Sequence, residues 1–172
     1  MNHELSKTLP LFTYGSLMEN FFNYELYLKD RIKEKPQKAR MKGELYHLDT
    51  KGYPALLPGS QWVYGEVFEL VDFEQDIQVL DQLEGFNQGV PNEYHREKTT
   101  VYGWNETTQS YDRPLTAYVY RYAVEHDPTF EQHRILLATG DWRHYMEKNT
   151  IKTSEKQKTK KSGSCFFFWV VK

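Results

Sequence analysis

The chain of 172 residues is long enough to bury the core of one domain. Its formal net charge of −2 excludes strong bulk attraction to nucleic acid or acidic lipid, and its single cysteine, Cys165, excludes an internal disulfide. No run approaches the ~20 apolar residues of a membrane span, and the N-terminus lacks the apolar stretch of a signal peptide. We therefore expect a cytoplasmic protein with no membrane span and no nucleic-acid partner.

The first predicted element is a strand over the apolar residues 9–13, which is followed by a break at Gly15. Alternating, β-branched and aromatic patterns predict four more strands, over residues 37–48, 63–70, 94–102 and 115–122. Gly65 marks a bulge or a close approach of another backbone. Between the prolines at 54 and 58, residues 55–57 are expected to form an edge strand or a loop.

Helices are predicted at three places between these strands. The first begins at Ser16, which has capping-box spacing to Glu19. A second begins near Asp72 and stops at Gly85, a residue suited to the end of a helix. A third lies within residues 129–137. The first helix is expected to bury Met18, Phe21, Phe22 and Leu26, and the second to bury Ile77, Leu80 and Leu83. Strands outnumber helices and do not alternate with them, which favours an α+β domain built on a curved sheet or a small barrel.

The composition of the chain changes after Met146. Residues 152–161 are lysine-rich and polar, as in linkers, whereas residues 165–171 are apolar. We therefore divide the chain into a domain over residues 1–148 and a tail over residues 149–172. The apolar end is interpreted as an added edge strand or a non-native terminus, and a weak interfacial anchor is the third possibility.

The turn Tyr14-Gly15-Ser16-Leu17 is the candidate binding element. A strand that breaks at a glycine and passes into a helix exposes backbone N–H groups without intrahelical partners, which suits a small anion. The sequence contains no G-x-G-x-x-G, P-loop or G-x-S-x-G motif, and its six histidines show no metal-ligand spacing. Ser16 has no evident activating base, so a serine nucleophile is not expected.

Glu84 is the candidate proton-transfer residue. In the last turn of the second predicted helix, the helix dipole and the apolar neighbours Leu83 and Phe86 would both favour the protonated acid. An acid that titrates nearer neutrality can give and take protons. The alternative is an ordinary solvated glutamate. Asp81, one turn earlier, is expected to face solvent or to cap a neighbouring loop.

Five ordered segments give the chain a family resemblance. The segments are YGSL at residues 14–17, GYPA at 52–55, VYGEVF at 63–68, LDQLEGF at 80–86 and YHR at 94–96. Together they resemble the gamma-glutamylcyclotransferase-like superfamily over residues 9–146. The resemblance implies an α+β fold, a small mixed β-barrel with flanking helices, and a cavity between the YGSL turn and Glu84.

The resemblance also implies a chemistry. Backbone amides at Tyr14, Gly15, Ser16 and Leu17 would hold the α-carboxylate of a γ-glutamyl group, Glu84 would move the protons, and Tyr120 is the candidate for a tyrosine that lines the cavity. The substrate's own α-amine would attack its γ-carbonyl and release 5-oxoproline and a free amine, without a metal or cofactor.

Some features of the chain leave alternatives open. Some glutathione-processing relatives carry Asn where this chain has Leu17, so the resemblance does not identify the amine that leaves. The segment Gly140-Asp141-Trp142 resembles a motif of some bacterial members and is interpreted as structural. A non-catalytic module that binds a small anion or metabolite on the same fold is the alternative function, and the sequence does not specify an oligomeric state.

Overall fold

The computed structural model describes residues 8–150. By compactness the chain divides into two units, with the boundary after Trp142, and residues 143–150 of the second unit are helical. Nearly all of the predicted tail, including its apolar end, lies outside the described residues. The predicted domain boundary at residue 148 therefore stays a prediction. Within the described residues, no helix has the length and apolar character needed to cross a membrane.

Within its described residues, the first unit contains six strands and three short helices. In chain order they are β1 (Leu11–Thr13), α1 (Phe22–Tyr27), β2 (Gln37–Leu48), β3 (Tyr53–Phe68), α2 (Phe73–Leu83), β4 (Tyr94–Asn105), β5 (Ser110–Tyr122), a 3₁₀ turn (Val124–His126), α3 (Phe130–His133) and β6 (Arg134–Leu136).

The strands pair in the order β3-β1-β5-β4-β2-β6, and β2 also pairs with β3. Five strands therefore form a closed ring of pairings, with β6 added at the outside of β2. All the pairs are antiparallel except β1 with β5, which is parallel. The predicted α+β class is confirmed. The small barrel remains a prediction, which this ring of pairings supports.

The buried strand β1 positions the site because it lies between β3 and β5 and leads directly into the YGSL turn. A Cβ atom at Gly65 would overlap the carbonyl oxygen of Thr13 on the neighbouring strand. The predicted close approach at Gly65 is therefore confirmed, while the irregularity between β2 and β3 lies at Gly43 and Glu44.

Strand β3 is longer than the sequence predicted. Its 16 residues run without interruption through both prolines, so residues 55–57 belong to a strand, which is one of the two predicted alternatives, and not to a loop. Ala55 and Leu56 are fully buried and face Tyr46 and Leu45 on β2. The first half of β3 pairs only with β2, and proline is tolerated in a strand that keeps one unpaired edge.

The first helix begins later than predicted. It starts at Phe22 rather than Ser16, and the N–H of Glu19 donates to the Glu66 carboxylate at 2.7 Å instead of joining a capping box. The predicted burial of Phe22 and Leu26 is wrong, because their exposed fractions are 76% and 57%. The apolar spacing alone did not reveal which residues face the core. The buried residues of this segment are Leu17, Met18, Tyr24 and Leu28.

The third predicted helix is half correct. Residues 130–133 form α3, but Arg134–Leu136 form β6, which pairs with β2 opposite Tyr46 to Leu48. That end of β2 extends beyond its pairing with β4 and offers an edge to which a strand can add. Just beyond, Trp142 donates its indole N–H to His47 Nδ1 at 3.2 Å in the protein interior, which fits the structural interpretation of residues 140–142.

Candidate active site

The cap and the apolar face that predicted helix α2 are both present in the structure. The Asp72 side chain accepts a hydrogen bond from the N–H of Gln75 at 3.2 Å and caps the first turn. Ile77 and Leu80 are buried in the core, and Leu83 packs against it. This apolar face fixes the position of the helix and hence of the residue that ends it.

The C-terminal end of α2 places Glu84. Gly85 adopts a φ of +61°, a left-handed conformation that suits glycine. The N–H of Phe86 donates to the Asp81 carbonyl at 2.8 Å, and that of Gly85 donates to the Gln82 carbonyl at 3.3 Å. These two bonds form a Schellman motif, in which Glu84 is the last residue before the chain reverses.

The YGSL turn presents backbone donors without being a helix N-terminus. Among the described residues, the N–H groups of Gly15, Ser16 and Leu17 make no hydrogen bond. Because α1 begins only at Phe22, the expectation that the strand passes directly into a helix at this turn is wrong. The donors come from the turn alone, and three such groups close together can bind an anion.

The turn and the helix end meet at one cavity of about 270 Å³. All six residues predicted for the site contribute to its wall. The complete lining is Leu11, Phe12, Thr13, Tyr14, Gly15, Ser16, Leu17, Asn23, Tyr53, Pro54, Leu83, Glu84, Glu93, Tyr94 and Tyr120. The sequence therefore identified residues from three separate segments that the fold brings together.

The carboxyl group of Glu84 is perturbed toward neutrality. Burial, followed by the negative charge of Glu93, raises the pKa of Glu84 to about 8. The residue keeps some exposure along its length, but its carboxyl group is desolvated by the surrounding protein. At neutral pH most molecules therefore carry a protonated Glu84, and a minor fraction carries the carboxylate.

Three buried tyrosines form a neutral, hydrogen-bonded part of the wall. Tyr14 donates its hydroxyl to the Tyr120 carbonyl at 2.6 Å, and Tyr94 donates to the Pro54 carbonyl at 2.7 Å. Burial raises the pKa of the phenols of Tyr14, Tyr94 and Tyr120, so all three stay protonated at neutral pH. Their rings are fixed by these bonds and shape the cavity.

The expectation that Asp81 faces solvent or caps a loop is wrong. Its carboxylate accepts the Tyr120 hydroxyl at 2.7 Å and pairs with Arg96 Nε at 3.0 Å, and its side chain is only 14% exposed. The guanidinium of Arg96 in turn lies over the Tyr118 ring. Asp81 thus holds Tyr120 in place from one turn below Glu84.

The lining residues that the sequence analysis did not assign to the site include Tyr53 and Glu93, and Lys51 beside them was missed as well. Glu93 Oε1 accepts from the Tyr53 hydroxyl and from Lys51 Nζ, the latter at 3.0 Å. Tyr53 lies inside the GYPA segment, and Glu93 directly precedes the YHR segment. Their position next to recognised segments was the available signal, but no local pattern distinguished them from surface residues.

Metal-ligating atoms come together once within residues 8–150. His95, Glu125 and His126 place such atoms within 4.8 Å of one another. None of the three lines the cavity, and His126 Nδ1 already contacts the Asn92 carbonyl at 2.7 Å. These side chains take no part in the chemistry proposed below.

Comparison with known proteins gives one matching family model. The model described as "Gamma-glutamyl cyclotransferase, AIG2-like" matches residues 11–144. The chain is also 34% identical over 139 residues to a Vibrio cholerae protein named "Putative gamma-glutamylcyclotransferase", and the match covers 77% of this chain and 93% of that protein.

Solved structures share the fold. An AIG2-like protein from Mus musculus has a TM-score of 0.56 at 21% identity, over 76% of this chain and 86% of that one. YkqA from Bacillus subtilis has the same TM-score at 23% identity, over 83% of this chain. The match spans only 42% of the YkqA chain, so YkqA is more than twice as long as the region it shares.

Proposed function

Because this chain belongs to the AIG2-like gamma-glutamyl cyclotransferase family, we propose that it is an enzyme that releases 5-oxoproline and a free amine from a γ-glutamyl compound. The proposal rests on one observation. The YGSL turn has three N–H groups without a hydrogen-bond partner among the described residues, and it lines the same cavity as the desolvated carboxyl group of Glu84. A cavity of about 270 Å³ is slightly below the range of roughly 300–1,000 Å³ common for small-molecule sites, which suits a ligand the size of a γ-glutamyl group.

The turn would anchor the substrate. In the proposed complex, the N–H groups of Gly15, Ser16 and Leu17 donate to the α-carboxylate of the γ-glutamyl group. With that end fixed, the neutral tyrosine walls leave the side chain of the substrate little room except to fold back on itself. The reaction is intramolecular, so holding this folded geometry lowers the entropic part of the barrier.

The bond changes are then simple. The α-amine nitrogen of the substrate attacks its own γ-carbonyl carbon, and the new carbon–nitrogen bond closes a five-membered lactam. The bond between that carbon and the departing nitrogen breaks. The attacking amine loses a proton and the departing nitrogen gains one, so no redox cofactor is needed for the balance.

Glu84 would carry this proton. Its carboxylate form accepts a proton from the attacking amine, and the resulting acid donates one to the departing nitrogen. A group with an ordinary glutamate pKa would be a weak base toward the attacking amine. A pKa of about 8 makes both transfers accessible near neutral pH.

A product assay tests the proposal. The full chain is incubated with a panel of γ-glutamyl amino acids, peptides, amines and the ε-lysine isopeptide, and 5-oxoproline is followed by mass spectrometry. Glu84→Gln removes the proton carrier with little change of shape, and Glu74→Gln on the exposed side of α2 is the matched control.

The outcomes separate the possibilities. Product from wild type and Glu74→Gln but not from Glu84→Gln supports both the activity and the role of Glu84. Equal product from all three keeps the activity and removes Glu84 from the mechanism. Binding of 5-oxoproline without product from any substrate would favour the non-catalytic binding module.

A further inference from the structure

Glu93 places a second carboxyl group in the cavity, and its backbone is fixed on both sides. Its N–H donates to the Gly85 carbonyl at 3.2 Å, directly after Glu84, and its carbonyl accepts from the N–H of Ala123 at 2.9 Å. The residue is thus tied to the end of α2 and to the segment that follows β5. This anchoring holds the Glu93 side chain beside Glu84 at the cavity wall.

The two carboxylate oxygens of Glu93 have different surroundings. Oε1 accepts from the Tyr53 hydroxyl and from Lys51 Nζ. Oε2 has no hydrogen-bond partner within residues 8–150. The side chain is 38% exposed and contributes to the cavity wall. One oxygen therefore holds the side chain in place while the other can accept from a donor in the cavity.

The local charge balance leaves this region negative. Lys51 Nζ lies 3.0 Å from Glu93 and 3.9 Å from Asp127, which also has His133 Nε2 at 3.3 Å, so Glu93 shares its lysine with a second carboxylate. Asp127 is held in this cluster by the Tyr122 hydroxyl, which donates to it at 2.6 Å. Glu84 is mostly protonated at neutral pH and adds little charge. The negative end of the cavity is therefore the Glu93 end.

The cavity thus has a donor side at the YGSL turn and an acceptor side at Glu93. An α-amino acid group has the complementary pair, a carboxylate and an ammonium. We propose that Glu93 is a substrate-binding residue whose Oε2 accepts a hydrogen bond from the α-ammonium group of the γ-glutamyl substrate, so that the site selects ligands carrying both charged groups. This inference rests on the proposed function and adds the residue that recognises the amino end.

The assignment has a consequence for turnover. The substrate enters with an α-ammonium group, whereas in 5-oxoproline the same nitrogen is a neutral lactam N–H. The contact with Glu93 is therefore strong for the substrate and weak for the product. Glu93 would favour binding of the open substrate and release of the closed product. Between ammonium and lactam the nitrogen loses two protons. Glu84, beside it, takes one and passes it to the departing nitrogen, and the other leaves with the amine, which is released as an ammonium ion.

A pair of ligands isolates this contact. L-Glutamine is the simplest γ-glutamyl amide, and 5-amino-5-oxopentanoate is the same molecule without the α-ammonium group. Their dissociation constants are measured by NMR titration at neutral pH in the full-length Glu84→Gln protein, with and without the additional change Glu93→Gln. The change Glu74→Gln in the same background is the control, because it removes an exposed carboxylate of α2.

We expect L-glutamine to bind Glu84→Gln more tightly than its desamino analogue does. Adding Glu93→Gln should raise the dissociation constant of L-glutamine by about 10- to 100-fold, which is the scale of a hydrogen bond to a charged group. The dissociation constant of the analogue should change by less than about twofold. The preference for the ammonium-bearing ligand should therefore nearly disappear, and Glu74→Gln should leave it intact.

Three results would overturn the inference. Equal weakening of both ligands would mean that Glu93 only supports Tyr53 and Lys51. Unchanged binding of L-glutamine in the double variant, or no preference for it in Glu84→Gln, would show that the ammonium is held elsewhere or not at all. If wild type forms 5-oxoproline from the panel, each of these results leaves the proposed function standing. If no product forms and neither ligand binds, the proposed function fails as well.

Discussion

Replacing Glu84 by Gln should change how the stability of the protein depends on pH. Burial and the charge of Glu93 raise the pKa of Glu84 from 4.5 to about 8 on folding. Between these values the folded chain holds a proton that the unfolded chain releases. The stabilisation is therefore complete below pH 4.5 and is lost as the pH rises through 8. Glutamine does not titrate, so the Glu84→Gln variant lacks this pH-dependent contribution to stability.

The magnitude follows from the linkage between the pKa shift and unfolding. One unit of pKa difference corresponds to about 1.4 kcal/mol, so from about pH 5.5 to about pH 7.5 the stability of Glu84→Gln relative to wild type should rise by about 2.5 kcal/mol. Urea denaturation of wild type, Glu84→Gln and Glu74→Gln at several pH values measures this difference, since all other titrating groups cancel. A difference between wild type and Glu84→Gln that does not vary with pH would refute the reasoning, because it would mean that the Glu84 carboxyl is solvated.

Other substitutions test the chemistry and the packing of the site. The turnover of Glu84→Gln should be about 10²- to 10⁴-fold lower than that of wild type. The kcat/KM of wild type should rise with pH toward the Glu84 pKa of about 8, because the attacking amine needs the carboxylate as base, and a flat pH profile would contradict this role. Gly85→Ala should cost roughly 1–2 kcal/mol in urea denaturation, since its φ is +61°, and should lower turnover by moving Glu84, whereas unchanged values would argue against the Schellman end. Gly65→Ala should lower the melting temperature strongly because its methyl group would overlap the Thr13 carbonyl, and a melting temperature equal to that of wild type would disprove the close approach. Leu80→Ala should reduce the free energy of unfolding by about 2–5 kcal/mol, and a loss well below that range would mean that α2 does not anchor the site.

The parts of the site that could be predicted from the sequence are those set by neighbours along the chain. Asp72 and Gly85 mark the ends of α2 by local hydrogen bonding and by a left-handed φ, so the position of Glu84 at the helix end followed from the pattern. The glycine break after β1 likewise identified the turn. That these elements share one cavity followed from the family resemblance and not from any local pattern.

These errors have a common physical origin, which is contact between residues that lie far apart in the sequence. Asp81 was expected to be exposed because nothing near it in sequence shows that Tyr120 and Arg96 would reach it. Residues 134–136 formed a strand because β2 offered an edge, although their own pattern continued a helix. Glu93 was missed for the same reason, since its contacts with Tyr53 and Lys51 bridge about forty residues of chain.

The chemistry proposed for Glu84 requires its burial, and the same burial lowers the free energy of unfolding near neutral pH. A solvated glutamate would cost nothing on folding but would be too weak a base to accept a proton from the attacking amine. The stability that its burial costs between about pH 5.5 and about pH 7.5, about 2.5 kcal/mol, is comparable to the roughly 1.5–3 kcal/mol gained by burying one large aliphatic side chain. Ile77 and Leu80 supply two such side chains on the helix that carries Glu84. The apolar face of α2 therefore also fixes the helix end that carries Glu84, and we expect a substitution that loosens this face to expose Glu84 and to lower its pKa toward the ordinary value.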